Sequence, residues 1–173
     1  MMGGDKSILP ATVGDRPMVS ERLFEREWAE ARETWRTSDP VLYAATPAEP
    51  VDRPLMAMPT HFAALANSIT HQQVSMAAGR AIGARLLEAC GGELSAEAVR
   101  SLSDDELRGV GLSRPKVVYV RALADSAIRG ELGGLETEAD DAVISQLVTL
   151  PGIGAWTAGM FLLFHLNRPD VLR

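Results

Sequence analysis

An all-α fold is predicted by three observations on the sequence. Apolar residues recur at three- and four-residue steps nearly everywhere after Ser20, whereas no useful length of sequence shows the alternation typical of strands. Capping residues, glycines and prolines divide this pattern into segments of helical length. One break, Pro151-Gly152-Ile153-Gly154, separates two apolar helical runs so closely that it predicts a helix–hairpin–helix at about residues 138–167. We therefore expect a compact, irregular helical bundle built around this motif.

The predicted elements begin with a helix that starts after a Ser20 cap and ends near Asp39-Pro40. Its apolar face follows steps of four, three and four residues: Phe24, Trp28, Ala31 and Trp35. The segment from Thr46 to Pro59 contains four prolines, which prevent a continuous helix and predict a loop. Thr60 is the predicted cap of the next helix, whose buried face consists of Phe62, Leu65 and Ile69.

Three further helices are predicted between residues 75 and 130 from their end signals. Each begins at a capping serine: Ser75, Ser103 and Ser113. Each ends at glycine: Gly91-Gly92, Gly111 and Gly130. Glu106 completes capping-box spacing with Ser103, and Pro115 suits the first turn after Ser113. The apolar faces of the first and third helices are Ala78, Ile82 and Leu86, and Val117, Val120 and Leu123.

The helix–hairpin–helix is the most informative feature. Thr137 is the predicted start of the entering helix, and the leaving helix is apolar on nearly all sides, which predicts a place in the core. Gly152 and Gly154 can take positive φ and expose their amides, beside further unpaired N–H groups of the next helix. Such amides, together with a helix dipole, suit a nucleic-acid phosphate. The alternative is an ordinary tight turn.

Length, composition and charge set limits on function. With 173 residues, 46% of them hydrophobic, the chain can bury a sizeable core. We expect a flexible tail over residues 1–18, a single domain over residues 19–173, and neither signal peptide nor membrane anchor. Cys90 is the single cysteine, which excludes an internal disulfide. These features predict a cytoplasmic monomer without a membrane partner.

The net charge of −6 argues against a broad basic surface for nucleic acid. However, 15 of the 17 basic residues are arginine, and acidic residues concentrate in residues 21–33 and 131–141. A local basic patch is therefore one interpretation of the central cations: Arg80, Arg85, Arg108, Arg114, Lys116 and Arg121. Arginine-rich genome composition is another. A helical protein-interaction domain without a nucleic-acid role also fits the acidic balance.

Three blocks in order resemble the DNA-3-methyladenine glycosylase II branch of the helix–hairpin–helix base-excision glycosylases. They are residues 69–75 with Ala77, Ala78 and Ile82, Gly111-Leu112-Ser113 with Lys116 and Tyr119, and residues 150–158. With Asp39-Pro40-Val41-Leu42 upstream, the resemblance covers about residues 20–173. It implies a glycosylase-like fold, here without its last helices, and an enzyme that acts on double-stranded DNA. Such an enzyme flips out an alkylated base and cleaves its N-glycosidic bond.

The resemblance also implies roles for individual residues. Trp156 occupies the position of a base-pocket wall, with Met160 one turn further, because an electron-rich ring holds a positively charged alkylated base. Core packing is the alternative for both. An indole where other members have a nucleophilic lysine implies monofunctional base removal. Gln73, with Gln72 beside it, corresponds to the residue that fills the gap left by the flipped base, and an ordinary exposed turn is the alternative.

In the hairpin, the resemblance implies DNA contacts from Gly152, Gly154 and Thr157. It implies no required cofactor. It does place a monovalent cation, Na⁺ or K⁺, on backbone carbonyls, namely those of Val148, Leu150 and Ile153.

The catalytic aspartate of the family follows the second hairpin helix, and we expect it beyond Arg173. Its carboxylate stabilises an oxocarbenium-like sugar and orients or deprotonates the attacking water. Asp170 is the nearby candidate, although its position fits a helix-end acid better. A non-catalytic DNA-binding fragment, inactive because this acid is missing, is therefore the alternative to an active glycosylase.

Overall fold

The computed structural model describes residues 19–49, 58–168 and 171, and the regular elements in these ranges are all helices. The all-α prediction is thus confirmed. The chain divides into two compact units, with the boundary between residues 53 and 54. No helix in the described ranges combines the length and apolar character that crossing a bilayer requires.

The first unit contains α1 (Val19–Ser38) and α2 (Pro40–Ala45). Ser20 lies within α1, so its predicted capping role is wrong, whereas the predicted end near Asp39 is confirmed. Helix α2 was not predicted, although its signals are present: Asp39 accepts a hydrogen bond from the Leu42 amide, and Pro40 occupies the first turn. The indoles of Trp28 and Trp35 on α1 meet edge to face, with ring centroids 5.9 Å apart.

The second unit contains seven helices among its described residues. They are α3 (His61–His71), α4 (Met76–Ala89), α5 (Ala96–Ser101), α6 (Asp104–Gly109), α7 (Arg114–Ile128), α8 (Asp140–Leu147) and α9 (Ala155–Phe164). Helix α7 packs against α3, α5 and α6, and α9 packs against α3 and α8. The core between them is aliphatic, and its fully buried members include Leu65, Ile69, Leu86, Leu107, Leu123, Leu147 and Leu162. Helices α3 and α7 therefore form the support on which the α8–α9 hairpin rests.

The capping signals position most of these helices correctly. Thr60 and Ser75 accept the predicted amide hydrogen bonds, and Ser103 and Glu106 form the predicted capping box. Ser113 precedes α7 as predicted but makes no side-chain capping bond. Helix α5, capped by Ser95, was not predicted.

The prediction that Thr137 begins the entering helix is wrong. Helix α8 starts at Asp140, and the Thr137 hydroxyl instead donates to the Gly134 carbonyl 2.9 Å away. A threonine hydroxyl serves a turn as readily as a helix cap, and here the preceding glycines take the chain into a turn. The predicted loop over Thr46–Pro59 agrees with the absence of helix at residues 46–49 and 58–59, while residues 50–57 lie outside the described part.

Candidate nucleic-acid interface

The hairpin is the connection from α8 to α9, residues 148–154. The Ile153 amide donates to the Leu150 carbonyl at 3.1 Å, and the Ile153 side chain is buried, so the turn is fixed from inside. Gly152 has φ +82°, as predicted. Gly154 does not use this freedom: it is extended, with φ −96° and ψ 173°, because it serves as the N-cap of α9.

Backbone amides converge at this turn without acceptors. Within the described residues, no group accepts from the amides of Gly152, Gly154, Ala155, Trp156 and Thr157, and no side chain caps α9. Gly154, Ala155 and Trp156 are exposed. The turn therefore presents donors and the positive end of a helix dipole to solvent, which is an arrangement that binds anions.

Tyr119 explains why residue 152 is glycine. A Cβ atom added to Gly152 would lie 2.3 Å from Cδ2 of the Tyr119 ring, whereas a Cβ atom at Gly154 would meet nothing within 4 Å. The ring, on α7, thus packs directly against the hairpin backbone. Gly152 is required for conformation and for space, and Gly154 for neither.

Trp156 stands on the surface of α9. It is 74% exposed, so the alternative in which this indole packs in the core is wrong. Met160, one turn further, is half-buried, and Phe164 at the end of the helix is 51% exposed. The prediction that α9 lies wholly in the core is therefore wrong for this face, which leaves two aromatic rings accessible. Thr157 is buried, and its backbone amide has no acceptor among the described residues.

The turn between α3 and α4, residues 72–75, lies beside the hairpin; we call it the wedge turn. Gln73 is exposed and has φ +56°, a conformation that non-glycine residues seldom adopt. The Gln72 side chain instead faces the protein: its Nε2 donates to the Gly152 carbonyl at 2.8 Å and lies 3.5 Å from the Thr157 hydroxyl. The structure therefore brings the two predicted DNA-contacting loops together.

Lys116, on α7, binds the start of the wedge turn through hydrogen bonds to backbone carbonyls. Its Nζ donates to the carbonyls of Thr70 and Gln72, at 2.9 and 2.6 Å. The side chain is buried, and removal from water lowers the pKa of this ammonium group. His71, nearby, bonds through Nδ1 to the Asn67 carbonyl at 2.9 Å and packs on Gly79, which is a helix-packing role.

The predicted basic patch is smaller than the sequence indicated. Lys116 is buried, the Arg85 Nε donates to the Val110 carbonyl at 2.8 Å, and Arg121 pairs with Asp104 at 2.6 Å. Arg85 is nevertheless exposed and forms no ion pair within the described residues, and the same holds for Arg80, Arg108 and Arg114. Two of the six predicted cations, Lys116 and Arg121, are thus committed to the protein itself.

Two predicted features concern a cation and an acid. The Leu150 carbonyl accepts the Ile153 amide, and no backbone amide in the described ranges donates to the carbonyls of Val148 or Ile153. Carbonyl oxygens retain a lone pair after one hydrogen bond, so hydrogen bonding leaves all three carbonyls available, and the cation site stays a prediction. The described residues contain no cluster of His, Cys, Asp and Glu that suits a metal ion. Asp170 lies outside the described residues.

A histidine pair at the end of α9 was not predicted as a unit. His61 Nδ1 lies 2.8 Å from His165 Nε2, and His61 Nε2 lies 3.0 Å from Glu136. Burial, and secondarily the charge of His61, lower the pKa of His165 to about 4. Contacts over 104 residues of sequence, like those of Gln72 and Lys116, leave no signal in a single sequence.

Comparisons with known sequences agree with this geometry. Residues 66–172 match the family described as HhH-GPD superfamily base excision DNA repair protein. A DNA-3-methyladenine glycosylase of Saccharomyces cerevisiae is 34% identical over 125 residues, which cover 64% of this chain and 41% of the yeast protein. DNA-3-methyladenine glycosylase 1 of Schizosaccharomyces pombe is 32% identical over 79 residues, 44% of this chain and 35% of that protein. The chain thus spans less than half the length of these relatives.

Solved structures show the same similarity. A DNA-3-methyladenine glycosidase from Bacillus halodurans matches with a TM-score of 0.67 and 38% identity, over 73% of this chain and 58% of that one. An S. pombe 3-methyladenine DNA glycosylase in complex with abasic DNA matches with a TM-score of 0.68 and 25% identity, over 83% of this chain and 73% of that one.

Proposed function

The chain belongs to the HhH-GPD superfamily of base excision DNA repair proteins, and from this premise we propose that it is a monofunctional glycosylase for alkylated DNA. The reaction is hydrolysis of the N-glycosidic bond of a base of the 3-methyladenine type. The substrate is double-stranded DNA, and the products are the free base and an abasic site. The protein acts as a monomer, in the cytoplasm with the chromosomal DNA, and requires no cofactor for chemistry.

The observation that carries the proposal is the exposed indole of Trp156 directly after the open amides of the hairpin. Because the indole lies outside the core, it is available to contact a ligand, and Phe164 is exposed on the same helix. The electron-rich face of the indole attracts a cationic alkylated base, and Met160 extends the same apolar wall. Because an indole offers no amine for a Schiff base, this position supports base removal without strand cleavage.

In this proposal the hairpin binds one DNA phosphate through the amides of Gly152, Gly154 and Thr157. A Na⁺ or K⁺ ion on the carbonyls of Val148, Leu150 and Ile153 would add positive charge beside the phosphate. Gln73, exposed at the tip of the wedge turn, enters the gap left by the flipped nucleotide, and Gln72 supports it. These contacts position the DNA without reading its sequence.

The chemistry needs a carboxylate that stabilises positive charge on the sugar and orients the attacking water. We place it after α9, as the resemblance implies. Asp170 is the acid that this sequence offers there, and an aspartate encoded beyond Arg173 is the alternative we favour.

The test is release of base from N-methylated DNA by the chain as given and by a version that includes any sequence encoded after Arg173. We expect the extended version to release 3-methyladenine. We expect Trp156→Ala to lower kcat/KM about 10- to 100-fold without moving the unfolding midpoint, because the indole is exposed. Phe164→Ala, which removes the other exposed ring of α9, is the matched control. Tight binding of methylated DNA without release of base, in both versions, would instead favour a non-catalytic DNA-binding protein.

A further inference from the structure

The side chains of Gln72, Lys116 and Tyr119 connect the wedge turn to the hairpin. We infer that Gln72 and Lys116 are positioning residues that fix the distance between these two loops, so that Gln73 and Trp156 act on the same nucleotide. The inference rests on the proposed function and deepens it. It assigns roles to two polar side chains, Gln72 and Lys116, that act through neighbouring residues and do not touch DNA.

Gln72 makes the direct connection. Its Nε2 donates to the Gly152 carbonyl at 2.8 Å, across 80 residues of sequence, and the Thr157 hydroxyl lies 3.5 Å away. The Gln72 side-chain amide therefore forms its hydrogen bond within the protein and ties the wedge turn to the hairpin. Its neighbour Gln73 is the exposed member of the pair.

Lys116 secures the other end of this connection. The carbonyls of Thr70 and Gln72 lie at the C-terminal end of α3, where carbonyls lack partners within the helix and where the dipole favours a cation. The Lys116 ammonium donates a hydrogen bond to each of these carbonyls and supplies the positive charge. The buried ammonium has no carboxylate partner in the described ranges, so its stabilisation comes from these carbonyls.

Tyr119 and Gln73 show that the arrangement is constrained. Tyr119 follows Lys116 by one turn of α7, and its ring fills the space beside Gly152, so one helix contacts both loops. Gln73 at φ +56° is in a conformation that persists where neighbouring structure holds it. Loss of the Lys116 or Gln72 contacts should release that conformation and separate the loops.

The first test needs no DNA. Gln72→Met keeps the length of the side chain and removes the donor. We expect exchange at the hydrogen-bonded amides of the hairpin, those of Leu150, Ile153 and Ala158, to become about tenfold faster, because the lost bond held a partly buried carbonyl of the same turn. Gln146→Met is the matched control, since the Gln146 amide donates to the Glu131 carbonyl, away from the wedge turn. Unchanged exchange in the hairpin of Gln72→Met would overturn the inference.

The second test compares affinity for a duplex containing an abasic-site analogue with affinity for the unmodified duplex. We expect Gln72→Met and Lys116→Met to lower this preference about tenfold, while affinity for the unmodified duplex changes less than about threefold. Gln146→Met should change neither. Equal loss on both duplexes indicates general destabilisation and contradicts a positioning role. If the unaltered chain binds neither duplex, the proposed function fails, and the exchange experiment alone decides whether the loops are connected.

Discussion

Two glycines in one turn of the hairpin carry different constraints. Replacing Gly152 with alanine requires positive φ for an L-residue and places a Cβ atom within 2.3 Å of the Tyr119 ring. Replacing Gly154 requires neither, since its φ is −96° and the space beside it is open. We expect Gly152→Ala to lower the free energy of unfolding by about 2 kcal/mol or more, and Gly154→Ala by less than about 0.5 kcal/mol. Urea denaturation measures both.

A double substitution of Gly152 and Tyr119 separates the steric cost at residue 152 from the cost of its positive φ. Tyr119→Ala removes the steric conflict and leaves the strained φ. Added to Gly152→Ala, it should therefore recover part of the lost stability, giving a non-additive double-mutant cycle. Equal destabilisation by the two glycine substitutions would contradict the assigned geometry.

His165 predicts a dependence of stability on pH. Its pKa in the folded protein is about 4, against about 6.5 when unfolded, because burial and the charge of His61 disfavour its protonation. Between these values the unfolded chain binds the proton that the folded chain excludes. This contribution to stability is therefore complete above pH 6.5, falls as the pH drops towards 4, and changes no further below that.

We expect the loss between pH 7 and pH 4.5 to be about 1–2 kcal/mol, reduced by solvent screening because His165 is only partly buried. His165→Gln should remove this part of the pH dependence in urea denaturation curves. His71→Gln, on α3, is the control and should leave it in place. A pH profile of His165→Gln identical to that of the unaltered chain would contradict the assignment.

Among the helices, two serines at N-cap positions test how much a side-chain capping hydrogen bond adds to the free energy of unfolding. Ser75 accepts a hydrogen bond from the Ala78 amide at the start of α4, directly after the wedge turn, whereas Ser113 precedes α7 without such a bond. We expect Ser75→Ala to lower the free energy of unfolding by about 1 kcal/mol and Ser113→Ala by less than about 0.5 kcal/mol. Chemical denaturation compares them. Similar costs would show that the hydroxyl of Ser113 also caps its helix.

These elements show how far the sequence predicts the fold. Periodicity and caps predict α3, α4, α6, α7 and α9, because their signals are local. Helices α2 and α5 are six residues each, too short for periodicity, and only their caps mark them. The start of α8 is predicted wrongly at Thr137, because the Thr137 hydroxyl forms a hydrogen bond within the preceding turn.

The candidate site divides in the same way. Local sequence predicts the hairpin, the exposed position of Gln73 and the candidate role of Trp156. The burial of Lys116 and the contact of Gln72 with Gly152 depend on packing between segments 44 and 80 residues apart. A single sequence contains no record of such contacts, so it places both residues on surfaces, Lys116 in a basic patch and Gln72 against the DNA.

For the whole molecule, the question is how a chain with a net charge of −6 would hold the DNA substrate proposed for it. Neutral amides at the hairpin contribute affinity without releasing counterions from DNA, whereas each cation on a phosphate releases about one. The second unit offers four exposed cations without an ion pair in its described residues: Arg80, Arg85, Arg108 and Arg114. The DNA-binding surface proposed here thus relies on geometry more than on charge.

We therefore expect a shallow salt dependence of duplex binding, with log K falling against log salt concentration at a slope no steeper than about −4. Fluorescence anisotropy titrations between about 50 and 200 mM salt measure it. Arg114→Ala, if Arg114 contacts a phosphate, reduces the slope by about 1. Gly152→Ala, by contrast, distorts the amide turn and should weaken binding with the slope unchanged. A slope of about −6 or steeper would mean that a basic surface, and not the hairpin amides, dominates the affinity, because only charged contacts release that many counterions.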